Sequence, residues 1–100
     1  MNIEALQHSA AKASTLLKVM SNQSRLLILC QLAEGEKTVG ELENLVNLSQ
    51  SALSQHLAIL RRENIVQTRR SAQSIFYSLA SDEAHTIMQT LYDVFCKECD

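Results

Sequence analysis

The chain has no proline, no tryptophan and only two glycines, and aromatic residues make up just 4% of its 100 positions. With so few backbone breakers, nothing in it reads as a flexible linker, a second domain or a low-complexity tail. One hundred residues form one domain. The scarcity of aromatics leaves Leu, Ile, Val, Ala and Met to build the core. A chain this short buries roughly 60–65% of the surface its unfolded form exposes, so oligomerisation would supply what a thin monomer core lacks. The longest apolar run is Leu26 to Cys30, far below the roughly 20 residues of a membrane span. The first residues include Glu4 and His8 and lack the basic start and apolar block of a signal peptide. The expectation is a cytoplasmic protein with no membrane partner.

Cysteine is also scarce. Cys30, Cys96 and Cys99 are too few and too unevenly placed for a secreted disulfide scaffold. In a reducing cytosol they begin as thiols, and are then core residues, metal ligands or redox sensors. The chain has no glycine-rich phosphate loop, no paired carboxylates suited to a cleft and no Cys–His pair on neighbouring elements. An enzyme is not expected, and no cofactor is required.

A formal charge of −2 argues at first against nucleic acid, but its distribution reverses that impression. From Ser49 to Gln73, Arg61, Arg62, Arg69 and Arg70 stand against Glu63 alone, a net of +3. From Ser74 to Asp100, Lys97 stands against Asp82, Glu83, Asp93, Glu98 and Asp100, a net of −4. A basic middle and an acidic end suit a DNA face held away from a subunit-pairing face.

Hydrophobic periodicity gives the order of elements. Ile3, Leu6, Ala10, Ala13, Leu17 and Met20 form the stripe of a first helix, from about Glu4 to Met20. Ser21 or Asn22 caps a second, whose inward stripe is Leu26, Leu29, Cys30 and Ala33, with Gly35 as its stop. Thr38-Val39-Gly40-Glu41 matches a capping box and opens a third helix with Val39, Leu42, Leu45 and Val46 inward. Asn47-Leu48 makes a corner, and Ser49 caps a fourth helix running to about Arg62, with Leu53, Leu57 and Leu60 inward and Asn64 as its stop. Ile65–Arg70 and Ile75–Leu79 read as two strands around the turn Ser71-Ala72-Gln73-Ser74. Ser81 caps a last helix, with Asp82 and Glu83 favourably placed at its positive end, striped by Ala84, Ile87, Met88, Leu91, Val94 and Phe95. The expected fold is mostly α with a small β-hairpin wing, a winged helix-turn-helix of order α-α-α-α-β-β-α. It divides into a helix-turn-helix (38–62), a wing (65–79) and dimerisation helices (1–20 and 81–99). The outer helices are more apolar than the small core needs, which predicts a homodimer through the first and last helices.

A recognition helix needs a polar outer face near its N-terminus, short enough to meet base edges in the major groove. Gln50, Ser51, Ser54 and Gln55 supply one. Glutamine can pair with adenine, and serine can donate or accept at any base. Arg61 and Arg62 beyond them, Arg69, Arg70 and Gln73 on the wing, and Thr38 at a helix start are candidates for backbone contacts, which position without reading sequence. The implied partner is double-stranded operator DNA. His56 on the same helix reads as a packing or hydrogen-bonding residue rather than a ligand.

The stretch Ser49-Gln50-Ser51-Ala52-Leu53-Ser54-Gln55-His56-Leu57-Ala58-Ile59-Leu60-Arg61-Arg62 resembles the recognition helix of the ArsR/SmtB family of bacterial repressors. Ser24-Arg25-Leu26-Leu27-Ile28-Leu29 is similar to the family's second-helix signature, although Gln23 stands where a proline is usual. Phe76-Tyr77-Ser78-Leu79 matches its wing strand. The resemblance covers nearly the whole chain and is nearest to the persulfide- and redox-sensing branch. It implies a homodimeric repressor released from DNA by persulfides and related small sulfur oxidants, derepressing sulfide or redox response genes. It also implies that Cys30 and Cys96 form a disulfide or polysulfide bridge within one subunit, at least one of them having a lowered pKa or good access. Cys99 is then a spectator or a resolving thiol.

A metal switch is the alternative. Glu83-x-His85, followed by Cys96-x-x-Cys99, resembles the spacing of the zinc-sensing site on the family's last helix, with cysteines replacing the usual second pair. His85 and Cys96 lie about 16 Å apart along a helix, so one ion could join Glu83, His85, Cys96 and Cys99 only across antiparallel helices of a dimer. Such a set suits zinc or a softer ion. The third helix, Val39 to Val46, has no cysteine, which excludes the arsenic-type motif.

Overall fold

Each helix begins where a short polar side chain replaces missing backbone partners. In the computed structural model, which describes residues 2–96, Asn2 caps α1 (Ile3–Met20) and Asn22 caps α2 (Gln23–Ala33). Thr38 caps α3 (Val39–Val46), Ser49 caps α4 (Gln50–Arg62), and Ser81 caps α5 (Asp82–Leu91), which runs on into a π-helical turn, Tyr92–Cys96. The stops are equally local. Gly35, at φ +149°, follows α2, and Asn47 (φ 52°) and Asn64 (φ 60°) adopt the left-handed backbone that asparagine tolerates.

Between the helices, β1 (Lys37–Thr38), β2 (Val66–Ser71) and β3 (Ser74–Leu79) form an antiparallel sheet of order β1-β3-β2. The winged helix-turn-helix is therefore as expected, with two differences. The strand β1 was not foreseen, because two residues carry no alternation to read. The hairpin also reaches one residue further at its tip on each strand, while β2 starts at Val66 rather than Ile65, and it closes through Ala72 (φ 56°) and Gln73.

The core takes Met20 from α1, Ile28, Leu29 and Leu32 from α2, Leu42 and Val46 from α3, and Leu53, Leu57 and Leu60 from α4. Ile65, Val66, Ala84 and Met88 complete it, and among the described residues no polar side chain is buried. Two inward assignments are corrected. On α2 the buried face is Ile28, Leu29 and Leu32, which leaves Cys30 and Ala33 exposed and Leu26 only half-buried. At 3.6 residues per turn Cys30 lies roughly 150° from the middle of that face. The segment is apolar almost all round, so periodicity alone did not fix its phase. On α3, Leu45 is 50% exposed, because Leu42 and Val46 already fill the contact with the core.

The outer helices keep apolar surface uncovered. Only the last turn of α1 packs, through Met20 with Leu16 and Val19, whereas Ile3 is 66% and Leu17 52% exposed. A second apolar stripe therefore runs beside the packed one. At the other end Ala84 and Met88 are buried, but Val94 and Phe95 are exposed.

Leu57→Ala is expected to lower the unfolding free energy by about 2–5 kcal/mol, and Leu45→Ala by less than about 0.5 kcal/mol. Urea midpoints at one protein concentration give both values. Equal losses would mean that α3 packs with a different face inward.

Candidate DNA-reading face and thiol pair

Burying Leu53, Leu57 and Leu60 turns Gln50, Ser51, Ser54 and Gln55 outward together, and all four are exposed. Ser49 spends its hydroxyl on the Ala52 amide (3.1 Å), so the cap holds the helix start and leaves those four side chains uncommitted to it. Arg61 and Arg62 are exposed in the last turn. A shallow cleft beside Ser54, Ala58, Arg61 and Arg62 is closed on the sheet side by Tyr77 of β3.

Thr38 is placed differently from a free phosphate ligand. Its hydroxyl accepts from the Glu41 amide (3.2 Å) and donates to Glu41 Oε1 (3.1 Å), while its own amide donates to the same oxygen (3.0 Å). Those bonds, the backbone one first, hold the Glu41 carboxyl below its ordinary range. The capping box is as expected, and it occupies the side chain.

On the wing the two arginines are held on opposite faces. Arg69 lies directly across from Phe76, and Arg70 from Ile75. Arg69 Nε donates to Glu36 Oε2 (2.8 Å), and its terminal nitrogen pairs with the other carboxylate oxygen. The guanidinium sits 4.4 Å from the centre of the Phe76 ring. Hydrogen bonding to Arg69 holds the Glu36 carboxyl below its usual range and raises Arg69 in turn. Gln73 is exposed at the hairpin tip.

Two residues matter here that sequence reasoning did not single out. Glu36 is one; the only hint was a charge just after the Gly35 stop. Arg25 is the other, a charge at a half-buried position of α2. Arg25 Nε donates to the Val19 carbonyl at the end of α1 (2.6 Å), and Nη1 lies 3.5 Å from His56 Nδ1 on α4. Arginine can only donate, so this contact needs His56 Nδ1 as acceptor. His56 thus has the hydrogen-bonding place expected for it, and three helices meet at one guanidinium.

Both described thiols are free: Cys30 exposed on α2 and Cys96 half-buried at the end of the π-helical turn. Protein packed around Cys30 raises its pKa despite the exposed edge, and the charges of Cys96 and then Glu34 push the same way. Of the two expected signs of reactivity, Cys30 has access rather than a lowered pKa. The five-residue widening that delivers Cys96 belongs to a class of local distortion often found at functional sites.

The described members of the alternative metal set, Glu83, His85 and Cys96, do not come together within one chain. Glu83 and His85 are exposed near the start of α5, where Glu83 accepts from Ser81 Oγ (3.2 Å). Cys96 is beyond the other end of that helix, and Cys99 lies outside the described residues. Among the described residues no three His, Cys, Asp or Glu side chains converge.

The arsR family of bacterial regulatory proteins matches residues 22–68, from the cap of α2 into β2. The transcriptional activator HlyU of Vibrio cholerae is 48% identical over 97 residues, covering 97% of this chain and 90% of that protein. A solved structure of reduced HlyU from Vibrio cholerae superposes with a TM-score of 0.89 at 48% identity, covering 93% of this chain and 98% of that one. The transcriptional repressor BigR from Xylella fastidiosa gives 0.87 at 42% identity, covering 96% and 98%. With identity and fold matching over nearly its whole length, this chain belongs to the arsR family of bacterial transcriptional regulators.

Proposed function

We propose that this protein is a homodimeric repressor that binds operator DNA through α4 and the wing, and that reversible chemistry at Cys30 and Cys96 sets its affinity. The observation that carries the switch is the pair of free thiols, Cys30 accessible on α2 and Cys96 half-buried at the end of the last helical turn. A relative solved in a form designated reduced and one named as a repressor support the same reading. HlyU is named an activator, and a protein occupying DNA can act in either sense according to what it displaces.

The chemistry balances with a persulfide as oxidant. One cysteine thiolate attacks the outer sulfur of R–S–SH, its S–S bond breaks and RSH leaves, giving Cys–S–SH. The second thiolate attacks the inner sulfur of that group and expels hydrogen sulfide. Two thiols and one persulfide become one disulfide, RSH and H₂S. Further sulfur atoms inserted from additional persulfide lengthen the bridge, which relaxes the Cα separation of about 4.4–6.8 Å that a direct disulfide demands.

The bridge would tie α2 to the end of α5. Arg25, five residues before Cys30, joins α2 to the end of α1 and to His56 beside Gln55. A second copy packed on the exposed stripes of α1 and the last helix would hold the two reading helices about 34 Å apart for successive major grooves. A change at either place would spoil that spacing. Coupling of about 1–3 kcal/mol, roughly 5–150-fold in affinity, is the usual scale.

Titrating the reduced protein into a duplex from upstream of its own gene, with and without glutathione persulfide, tests the switch by fluorescence anisotropy at fixed salt. Tight binding should fall on persulfide treatment and return with reductant, while Cys30→Ser and Cys96→Ser should stay bound throughout. Tight binding indifferent to persulfide would discard the thiol switch, and zinc would become the next titrant.

Gln55→Ala is expected to relax base preference at one operator position by about 1–3 kcal/mol, whereas Arg62→Ala weakens all sequences alike. Binding to a panel of single-base operator variants separates the two patterns.

The raised Cys30 pKa predicts a pH profile. In a Cys99→Ser background its iodoacetamide alkylation should keep accelerating beyond the pH at which a free thiol levels off. Adding Cys96→Ser removes one of the charges that push Cys30 upward, so the midpoint should move down. An unchanged midpoint would mean that the two sulfurs do not interact.

A further inference from the structure

Side chains alternate across a strand, so consecutive arginines on β2 cannot serve the same face. Val66, Thr68 and Arg70 point one way, and Gln67, Arg69 and Ser71 the other. Val66 is buried in the core, and Tyr77, directly opposite Thr68, closes the cleft beside α4. The Arg70 face is therefore the reading-helix side of the sheet. Arg69 stands on the outer side.

We propose that Glu36 is a positioning residue for DNA binding, which straps Arg69 across the outer face of the wing and leaves Arg70 as the wing arginine that meets phosphate. This rests on the DNA-binding reading given above. The register explains how the strap is built. Phe76, on the central strand β3, is paired with Thr38 on one side and Arg69 on the other. Glu36 precedes Thr38 by two residues and so approaches from the same face. Arg69 crosses the whole width of the sheet over the Phe76 ring to reach it.

Three features give an exposed pair this definition. The contact is two-pronged, the guanidinium sits over an aromatic ring, and Arg69 grows from a paired strand while Glu36 immediately precedes β1. Lysine could reproduce neither the fork nor the stack. Mechanically, the strap fastens the hairpin to the segment joining α2 to α3, where β1 contributes only two residues of pairing. Electrically, Glu36 pairs the one wing arginine that the register turns away from the DNA face. Among the described residues this is the only ion pair, so Arg61, Arg62 and Arg70 keep their charge for phosphate.

The test uses the full chain, the same upstream duplex and a series of salt concentrations. Arg70→Ala should reduce the slope of log affinity against log salt by about one per subunit. Arg69→Ala and Glu36→Ala should leave the slope unchanged yet weaken binding, by roughly 2- to 30-fold as for other indirect couplings. The exchanged variant, Glu36→Arg with Arg69→Glu, should recover most of that loss. A slope lowered by Arg69→Ala, or tighter binding by Glu36→Ala, would overturn the proposal. A second measurement needs no DNA: amide exchange at residues 71–74 should quicken in both single variants and slow again in the exchanged one. Unchanged exchange rates would refute the strap whatever the duplex does. A wild type that ignores the duplex at every salt would defeat the DNA reading, while the exchange rates would still decide on the strap.

Discussion

Leu53, Leu57 and Leu60 must be inside, and nearly everything of functional interest follows from that demand. These three leucines are almost wholly removed from water, and burial of each is worth about 1.5–3 kcal/mol. Turning them inward fixes the rotation of α4 about its own axis. Gln50, Ser51, Ser54 and Gln55 then face away from the core whatever else the chain does. Asn47 and the Ser49 cap fix where the helix starts, and the core fixes how it is turned. The chemical character of the outer face is thus set by the same packing that stabilises the domain.

Helix starts, corners and the hairpin were legible because their signals are local. A threonine and a glutamate three residues apart satisfy each other wherever the rest of the chain goes, and Asn47 and Asn64 accept a backbone that few side chains tolerate. The phase of α2 was not legible. Leu26 to Cys30 is apolar all round, so only packing against α3, α4 and α5 could choose Ile28, Leu29 and Leu32 and expel Cys30. The partnership of Glu36 with Arg69 spans 33 residues, and it depends on a two-residue strand that no periodicity announces. Charge pairing at that distance is a product of the fold.

The domain has no polar residue in its core among those described, so its polar connections are made at the margins, where helices end and strands meet. Arg25 is the clearest of them. It satisfies a carbonyl that the end of α1 would otherwise leave to water, and reaches His56 in the same stroke. Because α1 packs on the rest of the chain only through its last turn, that hydrogen bond helps to orient an 18-residue helix. An isolated helix of this length is marginal in water. A covering partner on its exposed stripe would therefore stabilise the helix as well as bury its side chains.

The order β1-β3-β2 leaves β2 as an outer strand with unpaired backbone groups along six residues. Such a border invites strands from other molecules, and proteins commonly defend it with charge. Arg70 sits there exposed, so an incoming strand meets its cation on the reading-helix face, while Arg69 is drawn across the sheet to Glu36. The sheet is thereby closed to growth by accretion. A second copy would then find its footing on the exposed helical stripes rather than on the wing.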